Sequence, residues 1–344
     1  MGLVLPTAQV KTMKLLVTGG YGFIGSNFIR YMLEKYPDAQ IINVDNLSYG
    51  SNFKNLSGVN TERYKFVKGD IADYTLIQRL VEDVDAIVNF AAETHVDRSI
   101  ADPHLFFRSN VDGVLSILEA VRKARKSVRI IQISTDEVYG EILDGSFKES
   151  DRLNPSSPYS ATKAAADMIC LAYHRTFNLD IVIARPTNNF GPYQFPEKLI
   201  PKTIIRVKLG QKVPIYGTGK NVRDWLYVMD TCEAIDLLLK GGGSGEIYNI
   251  SAGNEFENIE VVKMILAIMG KSDNLIEFVE DRPGHDVRYS IDATKIKREM
   301  GWKPKHSFHE SLRRTVEWYV NNEWWWRPII SGKILHSTPW KLKW

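Results

Sequence analysis

The chain has 344 residues, of which 44% are hydrophobic and 25% charged, and its formal net charge is +3. These proportions are ordinary for a globular protein and exclude a largely disordered chain. The basic residues are spread along the sequence, so we expect no nucleic-acid partner. The two cysteines, Cys170 and Cys232, lack metal-ligand spacing. We therefore expect no metal site and no disulfide, but two buried thiols in a reducing cytoplasm.

No apolar run in the sequence approaches the roughly 20 residues that span a bilayer, so we expect no membrane partner. Residues 1–12 lack the basic and apolar regions of a signal peptide. We expect them to be an extended start, or an expression remnant, that precedes Met13.

From Lys14 onward, short runs rich in Val and Ile alternate with amphipathic stretches, a pattern typical of βαβ units around a parallel sheet. The pattern predicts strands at 14–18, 40–44, 64–68, 86–90, 129–134 and 181–185. It predicts helices at 23–36, 75–84, 103–126 and 159–177. We therefore expect an α/β fold with a doubly wound parallel sheet of the Rossmann type.

The regular alternation of strand and helix patterns ends after Arg185, where Pro, Gly and Tyr become frequent. Helical stretches near 200–209 and 229–239 and an extended piece at 247–250 predict a smaller α/β lobe. We place the dinucleotide-binding domain at 13–186, a mainly substrate-binding lobe at 187–330, and a tail at 331–344. We interpret 241–245 as a loop, and the Trp-rich end of the chain as a docked tail.

A glycine-rich motif, TGGYGFIG at residues 18–25, follows the first predicted strand and opens a helix. Gly19, Gly22 and Gly25 let the backbone turn sharply and approach a pyrophosphate, whose charge the helix N-terminus stabilises. Asp45 ends the second strand, about twenty positions beyond Gly25, where a carboxylate can bond a ribose 2′-hydroxyl and repel a 2′-phosphate. The motif therefore predicts NAD rather than NADP as the cofactor.

A tyrosine and a lysine, Tyr159 and Lys163, stand four residues apart at the start of a predicted helix. This spacing puts the phenol and the ammonium on one helical face. A positive charge beside a phenol lowers its pKa from about 10 toward neutrality. We therefore expect Tyr159 to act as the base that takes a hydroxyl proton while hydride leaves the same carbon for NAD.

These features resemble the extended short-chain dehydrogenases over residues 14–330. Within that superfamily the segment STDEVYG, residues 134–140, is similar to that of the dTDP-glucose 4,6-dehydratases. Most 4-epimerases carry small or hydroxyl residues where this chain has Asp136 and Glu137.

An adjacent carboxyl pair suits the elimination of water from a hexose. Once C4 is a ketone, loss of the C6 hydroxyl needs one group to take the C5 proton and another to donate a proton. The resemblance implies that Asp136 is the acid, that Glu137 is the base and that hydride returns to C6. Thr135 is expected to bond the C4 oxygen. The implied reaction converts dTDP-glucose to dTDP-4-keto-6-deoxyglucose and water.

The motifs and the resemblance together assign the NAD contacts. They are Gly19, Gly22, Phe23, Ile24, Gly25, Asp45, Asn46, Ser48, Asp70, Ile71, Ala91, Ala92, Thr94, Ser109, Tyr159, Lys163 and Asn189. We expect Asp70, after the third strand, to meet the adenine amine.

The substrate contacts are assigned in the same way. Arg223 and Arg282 offer guanidiniums that can grip a diphosphate by forked hydrogen bonds. The resemblance adds a histidine near the phosphates and contacts to the sugar and the nucleoside. The full set is His95, Thr135, Asn188, Lys198, Leu199, Pro214, Tyr216, Arg223, Asn258, Arg282 and His285.

Several alternatives stay open. A UDP-glucose 4-epimerase would need NAD and the Tyr-Lys pair but no acid-base pair, and a UDP-sugar 4,6-dehydratase would differ only in its nucleotide. Thymine and uracil differ by one methyl group, worth about 1–3 kcal/mol in a pocket. A non-catalytic NAD-binding interaction protein is the alternative of another class. The resemblance also implies a cytoplasmic homodimer, paired through helices 103–126 and 159–177, that supplies deoxysugars such as rhamnose.

Overall fold

The computed structural model describes residues 13–344, so the prediction for residues 1–12 lies outside the described residues. The strands in this part of the chain are β1 (Lys14–Thr18), β2 (Gln40–Asp45), β3 (Tyr64–Lys68), β4 (Ala86–Asn89), β5 (Arg129–Ile133), β6 (Ile181–Pro186), β7 (Asn188–Phe190), β8 (Val213–Tyr216), β9 (Val222–Tyr227), β10 (Ile247–Ile250), β11 (Glu255–Glu257) and β12 (Ile276–Val279).

The helices of the same residues are α1 (Phe23–Lys35), α2 (Tyr74–Val81), α3 (Val96–Ala101), α4 (His104–Phe107), α5 (Gly113–Arg122), α6 (Pro158–Phe177), α7 (Leu199–Lys208), α8 (Val228–Gly241), α9 (Asn258–Ile268), α10 (Thr294–Met300), α11 (Phe308–Asn321) and α12 (Glu323–Trp326). Short 3₁₀ turns cover Phe53–Leu56, Asp136–Tyr139, Asp273–Leu275 and Pro339–Lys341, and one π-helical turn covers Arg108–Asp112.

The central sheet has seven parallel strands in the order β10-β6-β5-β4-β1-β2-β3. The predicted doubly wound, Rossmann-type sheet is therefore confirmed. The chain winds away from β1 in both directions, toward β2 on one side and β4 on the other. Open α/β sheets bind ligands at this switch point, beyond the carboxyl ends of the strands.

Helices cover both faces of the sheet because its strands are apolar on both sides. Leu15 and Val17 of β1 pack on one face, in a cluster with α1 and α8, while Leu16 packs on the other, in a cluster with α2, α5 and α6. Successive side chains of a strand alternate between the faces, so one short run serves two cores. Cys232 lies in the first cluster and Cys170 in the second, and both thiols are buried and unpaired, as predicted.

The prediction of one continuous helix over residues 103–126 is wrong. The structure divides it into α4, the π-helical turn Arg108–Asp112 and α5. Within that turn the buried Asn110 side chain accepts from the Glu93 backbone N–H and donates to the Glu93 carbonyl and to Thr162 Oγ1. The wider turn lets this one amide bridge three groups. The loop predicted at 241–245 begins one residue too early, since Gly241 still belongs to α8.

The second lobe contains a three-stranded sheet, β11-β9-β7, and a two-stranded sheet, β12-β8. Its core joins α7, α9 and α11 around residues such as Ile204, Ile265 and Leu312, with Trp325 and Trp326 fully buried. Strand β10 does not belong to this lobe's sheets, because it pairs with β6 at the edge of the central sheet. No helix within residues 13–344 is both long and apolar enough to cross a membrane.

Candidate active site

A cavity lies at the carboxyl ends of the central strands, above the glycine-rich loop. Gly19 has a left-handed backbone, with φ of +68°, and a Cβ at this position would lie 2.7 Å from the Ala91 backbone. A Cβ at Gly25 would lie 2.5 Å from the Gly19 carbonyl oxygen. The loop therefore tolerates no side chain at either position and passes tightly beneath the start of α1, as the pyrophosphate of a dinucleotide requires.

The carboxylate of Asp45 ends β2 at the wall of this cavity. It accepts hydrogen bonds from the Tyr21 N–H at 2.9 Å, the Leu47 N–H at 2.8 Å and Ser51 Oγ at 2.9 Å. Burial raises the pKa of Asp45, and these donors oppose the rise. The donors fix the carboxylate where a ribose hydroxyl would reach it, so the residues present fit NAD.

The structure brings all the predicted NAD contacts onto the wall of this cavity, and their roles stay predictions. Asp70 has a partner that the sequence analysis did not foresee, since its Oδ2 accepts from Arg108 Nη2 at 3.0 Å. Its Oδ1 accepts from the Ala72 N–H. The cavity wall also includes residues that were not predicted, namely Val44, Tyr49, Gly50, Ser51, Glu93, Arg98, Ile133, Ser134, Pro186, Thr187, Gln194, Phe195 and Glu197.

The predicted catalytic residues all line the same cavity. Thr135 follows β5 and caps the 3₁₀ turn Asp136–Tyr139, accepting from the Glu137 N–H at 3.3 Å. Helix α6 begins at Pro158 because Ser157 and Ser160 form a reciprocal capping box. The Thr135 cap thus fixes the start of the turn that carries the carboxyl pair, and the capping box fixes the start of the helix that carries Tyr159.

The two carboxyl groups have different surroundings. Burial and the neighbouring charge of Glu137 raise the pKa of Asp136 to about 8, while Thr135 and Arg223 oppose the rise. Burial also raises the pKa of Glu137, and Arg282 and Arg223 oppose it. Asp136 Oδ2 and Glu137 Oε2 are buried and have no hydrogen-bond partner among the described residues. The raised pKa of Asp136 makes it a proton donor at neutral pH, and the two arginines favour the charged, proton-accepting form of Glu137.

The prediction that Lys163 lowers the pKa of Tyr159 is wrong for the protein alone. Burial, with the charges of Glu137 and Asp136, raises the pKa of Tyr159 above its ordinary value. The Lys163 ammonium donates to the Ile133 carbonyl oxygen at 2.6 Å, and burial lowers its own pKa to about 8. The i, i+4 spacing places the two groups on one face of α6, but burial has the largest effect on the pKa of each.

A buried ion pair lies behind Lys163. Asp167, one turn further along α6, accepts from Arg185 Nε at 2.9 Å and from Ser134 Oγ at 2.9 Å. Arg185 also donates to the Tyr139 hydroxyl at 2.6 Å. Both charged side chains are almost completely buried. The pair ties β6 to α6 and to the end of β5, directly beneath the catalytic residues.

A second cavity opens from the first toward the smaller lobe. Apart from Thr135, which faces the first cavity, every predicted substrate contact lines it. The two cavities share His95, Glu137, Asn188, Asn189, Gln194, Glu197 and Lys198. Glu137 therefore stands where a substrate in one cavity would meet a cofactor in the other.

The arginines of the second cavity are held by protein groups. Arg223 donates to the Val222 carbonyl at 2.7 Å and to the Asp286 carbonyl at 2.9 Å. Arg282 Nη1 pairs with Asp97 Oδ1 at 3.0 Å, whereas its buried Nε has no partner in residues 13–344. Two fixed guanidiniums in one cavity fit an anionic ligand.

Glu197 is a site residue that the sequence analysis missed. It lines both cavities and accepts from the Tyr49 hydroxyl at 2.6 Å. His95 Nδ1 lies 3.2 Å from Glu197 Oε2, and burial lowers the pKa of this histidine while it raises that of Glu197. The signal available was its place beside Lys198, inside a run already assigned to the substrate.

The fold and the site together define the class of protein. It is an NAD-dependent enzyme of the extended short-chain dehydrogenase type, as indicated by the glycine-rich loop beneath the doubly wound sheet, the acidic end of β2 and the Tyr159-Lys163 pair on α6.

Comparison with known proteins narrows the class to one family. Residues 16–315 match the family model described as GDP-mannose 4,6 dehydratase. The chain is 48% identical to a dTDP-glucose 4,6-dehydratase of Streptomyces niveus, over 95% of this chain and 98% of that protein. It is 51% identical to a low-salt glycan biosynthesis protein of Haloferax volcanii, over 90% of this chain and 100% of that protein.

A solved structure agrees with these relatives. The dTDP-glucose 4,6-dehydratase DesIV from Streptomyces venezuelae, crystallised with NAD and TYD bound, superposes with a TM-score of 0.90 at 48% identity. The match covers 92% of this chain and 100% of that one. The chain belongs to the dTDP-glucose 4,6-dehydratase family.

Proposed function

We propose that this protein is a dTDP-glucose 4,6-dehydratase, an NAD-dependent hydro-lyase that forms dTDP-4-keto-6-deoxyglucose and water. The observation that carries the proposal is the pair Asp136 and Glu137, each with one buried, unpartnered carboxyl oxygen, with Glu137 at the junction of the two cavities. The named relatives support the same reaction and the same nucleotide sugar.

The residues divide the chemistry between them. Tyr159 accepts the proton of the C4 hydroxyl, and Thr135 stabilises the charge that develops on the C4 oxygen. NAD, held by the glycine-rich loop and Asp45, would supply a hydride acceptor for C4 and a hydride donor for C6. Glu137 removes the C5 proton, whose acidity the C4 ketone creates, and returns a proton to C5 when hydride reaches C6. Asp136 donates its proton to the C6 hydroxyl, which leaves as water.

Product analysis with dTDP-glucose and UDP-glucose, run side by side, tests the function. We expect the 4-keto-6-deoxy product from dTDP-glucose and its loss in Glu137→Gln. Interconversion of UDP-glucose and UDP-galactose that survives this substitution would instead establish the epimerase. Bound NAD without turnover of either sugar would favour the non-catalytic alternative.

The preference for thymine over uracil and a role in supplying deoxysugars such as rhamnose belong to the same proposal. The preference for thymine is supported by the relatives, which are named dTDP-glucose 4,6-dehydratases. Equal catalytic efficiency with dTDP-glucose and UDP-glucose would contradict it.

We also propose that the protein is a cytoplasmic homodimer. Support for the dimer comes from apolar side chains that α4, α5 and α6 leave exposed, namely Leu105, Phe107, Leu115, Met168 and Phe177. Such surfaces on neighbouring helices favour a contact with another subunit. Two unpaired thiols are consistent with a reducing compartment. Light scattering that gives a monomer mass at every concentration would overturn the dimer.

A further inference from the structure

The C-terminal tail, residues 331–344, packs against residues of both cavities. Ile334 and Leu335 are buried in the core of the smaller lobe, which anchors its start. Arg206 donates to the Leu335 carbonyl at 2.8 Å, and Lys202 donates to the His336 carbonyl at 3.2 Å. Lys202 itself lines the second cavity. The tail is therefore held by hydrogen bonds from side chains to its backbone carbonyls as well as by apolar contact, and one of these side chains, Lys202, belongs to the cavity wall.

Within the tail, Trp340 contacts a residue of the proposed nucleotide site. Its ring packs edge-on against Tyr216, with centroids 4.8 Å apart and an interplanar angle of 80°. Trp340 is only 8% exposed and does not line the cavity, so it stands behind Tyr216. The Tyr216 hydroxyl donates to Asp97 Oδ2 at 3.0 Å. Tyr216 is thus held at its hydroxyl by α3 and at its ring by the tail.

The last residue of the chain makes a parallel contact beside the cofactor cavity. The Arg98 guanidinium lies 3.9 Å from the centre of the Tyr49 ring and 5.3 Å from that of Trp344. Arg98 Nη1 pairs with Glu93 Oε2 at 2.8 Å. Arg98, Tyr49 and Glu93 all line the first cavity. The tail therefore supports wall residues at two separate places, each through a tryptophan.

We propose that Trp340 is a positioning residue that fixes the Tyr216 ring for the nucleoside end of the substrate. The inference rests on the proposed function, because it takes the second cavity to hold the nucleotide. A planar base is bound by an aromatic ring only while that ring keeps its orientation. Without Trp340 the ring would border a void on that side, and it would be held only at its hydroxyl by Asp97 and at another edge by the His285 ring. The reacting end of the sugar, beside Glu137, would not be disturbed.

Trp340→Ala tests this positioning role. We expect KM for dTDP-glucose and Kd for dTDP, the latter from calorimetry, to rise about tenfold, the equivalent of one lost aromatic contact. We expect kcat to stay within about twofold of the unmodified enzyme. Trp340→Phe should recover most of the affinity, because it restores an aromatic edge.

Trp324→Ala is the matched control, because Trp324 belongs to the same Trp-rich end but is exposed and does not contact the cavities. It should leave both constants unchanged. Unaltered KM and Kd in Trp340→Ala would overturn the proposal. So would an equal loss of kcat and thermal stability without recovery in Trp340→Phe, since that pattern describes a purely structural residue.

Failure of the proposed function can be distinguished from failure of the positioning role of Trp340. Absence of turnover by the unmodified enzyme would refute the reaction, while dTDP binding would still report on Trp340. If the unmodified protein binds no dTDP, both proposals fail.

Discussion

The Thr135 hydroxyl donates to Asp136 Oδ1 across 3.1 Å, while Asp136 Oδ2 has no hydrogen-bond partner within the described part of the chain. The carboxyl is thereby oriented at one oxygen and available at the other. Because its pKa is raised to about 8, it is protonated at neutral pH and can act as an acid.

Dehydration is expected to slow as the pH rises through about 8, because the protonated fraction of Asp136 falls above that pKa. Lys163 loses its charge in the same range, since its pKa is also about 8. Measurement of kcat against pH for product formation, and separately for reduction of bound NAD by substrate, distinguishes them. A pH limb present only in product formation identifies Asp136. No decline up to pH 10 would contradict the assignment of either group.

Asp136→Asn should lower kcat for dehydration by about 10²–10⁴-fold, the usual contribution of a general acid. Oxidation of the substrate at C4 should persist, because it uses Tyr159. Single-turnover absorbance of reduced NAD measures the retained step. Loss of both steps, with unchanged NAD binding, would show that Asp136 does more than protonate the leaving hydroxyl.

Glu137→Gln should abolish exchange of the C5 proton with solvent. The amide has nearly the same shape as the carboxyl but cannot accept the proton. The reaction run in deuterium oxide, followed by mass spectrometry, should show one deuterium at C5 in the product of the unmodified enzyme. In the variant, the recovered substrate should carry none. Deuterium incorporation at an unchanged rate would exclude Glu137 as the base.

Asp45→Asn is expected to reduce the preference for NAD over NADP by at least about tenfold, because it removes the negative charge that repels a 2′-phosphate. The amide oxygen can still accept from the Tyr21 N–H, while the Leu47 N–H and the Ser51 hydroxyl lose their acceptor. Binding of both cofactors by calorimetry, with circular dichroism as a check of folding, measures the change. An unaltered preference would indicate that another residue discriminates.

Arg185→Met should lower the free energy of unfolding by about 3–5 kcal/mol, since it leaves the buried Asp167 carboxylate without its cation. Urea unfolding measures the change. Arg314→Ala is a suitable control, because Arg314 pairs with Glu310 on the surface. It should cost at most about 1 kcal/mol. Equal effects of the two substitutions would contradict the structural importance of the buried pair.

Much of the fold follows from local pattern. Strand β1, KLLVT, and strand β3, YKFVK, are predicted to the residue. Strand β1 lies inside the sheet and is buried at four of its five positions, whereas β3 is a partly buried edge strand. The π-helical turn Arg108–Asp112 could not be predicted, because its cause is the bridging of Glu93 and Thr162 by Asn110. The partners of that amide come from distant parts of the chain.

The site could be predicted where it depends on short motifs. The glycine loop, the carboxyl pair and the Tyr159-Lys163 spacing each occupy one segment of sequence. Their electrostatics depend on burial instead, which explains why the pKa of Tyr159 is raised rather than lowered. Asp97 and Glu197 escaped prediction because their partners, Tyr216 and Tyr49, lie more than a hundred residues away.

The pairing of β10 with β6 affects how the protein folds while it is being synthesised. Until Ile247–Ile250 leaves the ribosome, β6 is an edge strand whose backbone groups face no neighbour on one side. Unpaired apolar edges invite association with other chains. The nascent protein therefore remains vulnerable through the synthesis of the first part of its smaller lobe, and a truncation before residue 247 should yield an aggregating rather than a separately soluble product.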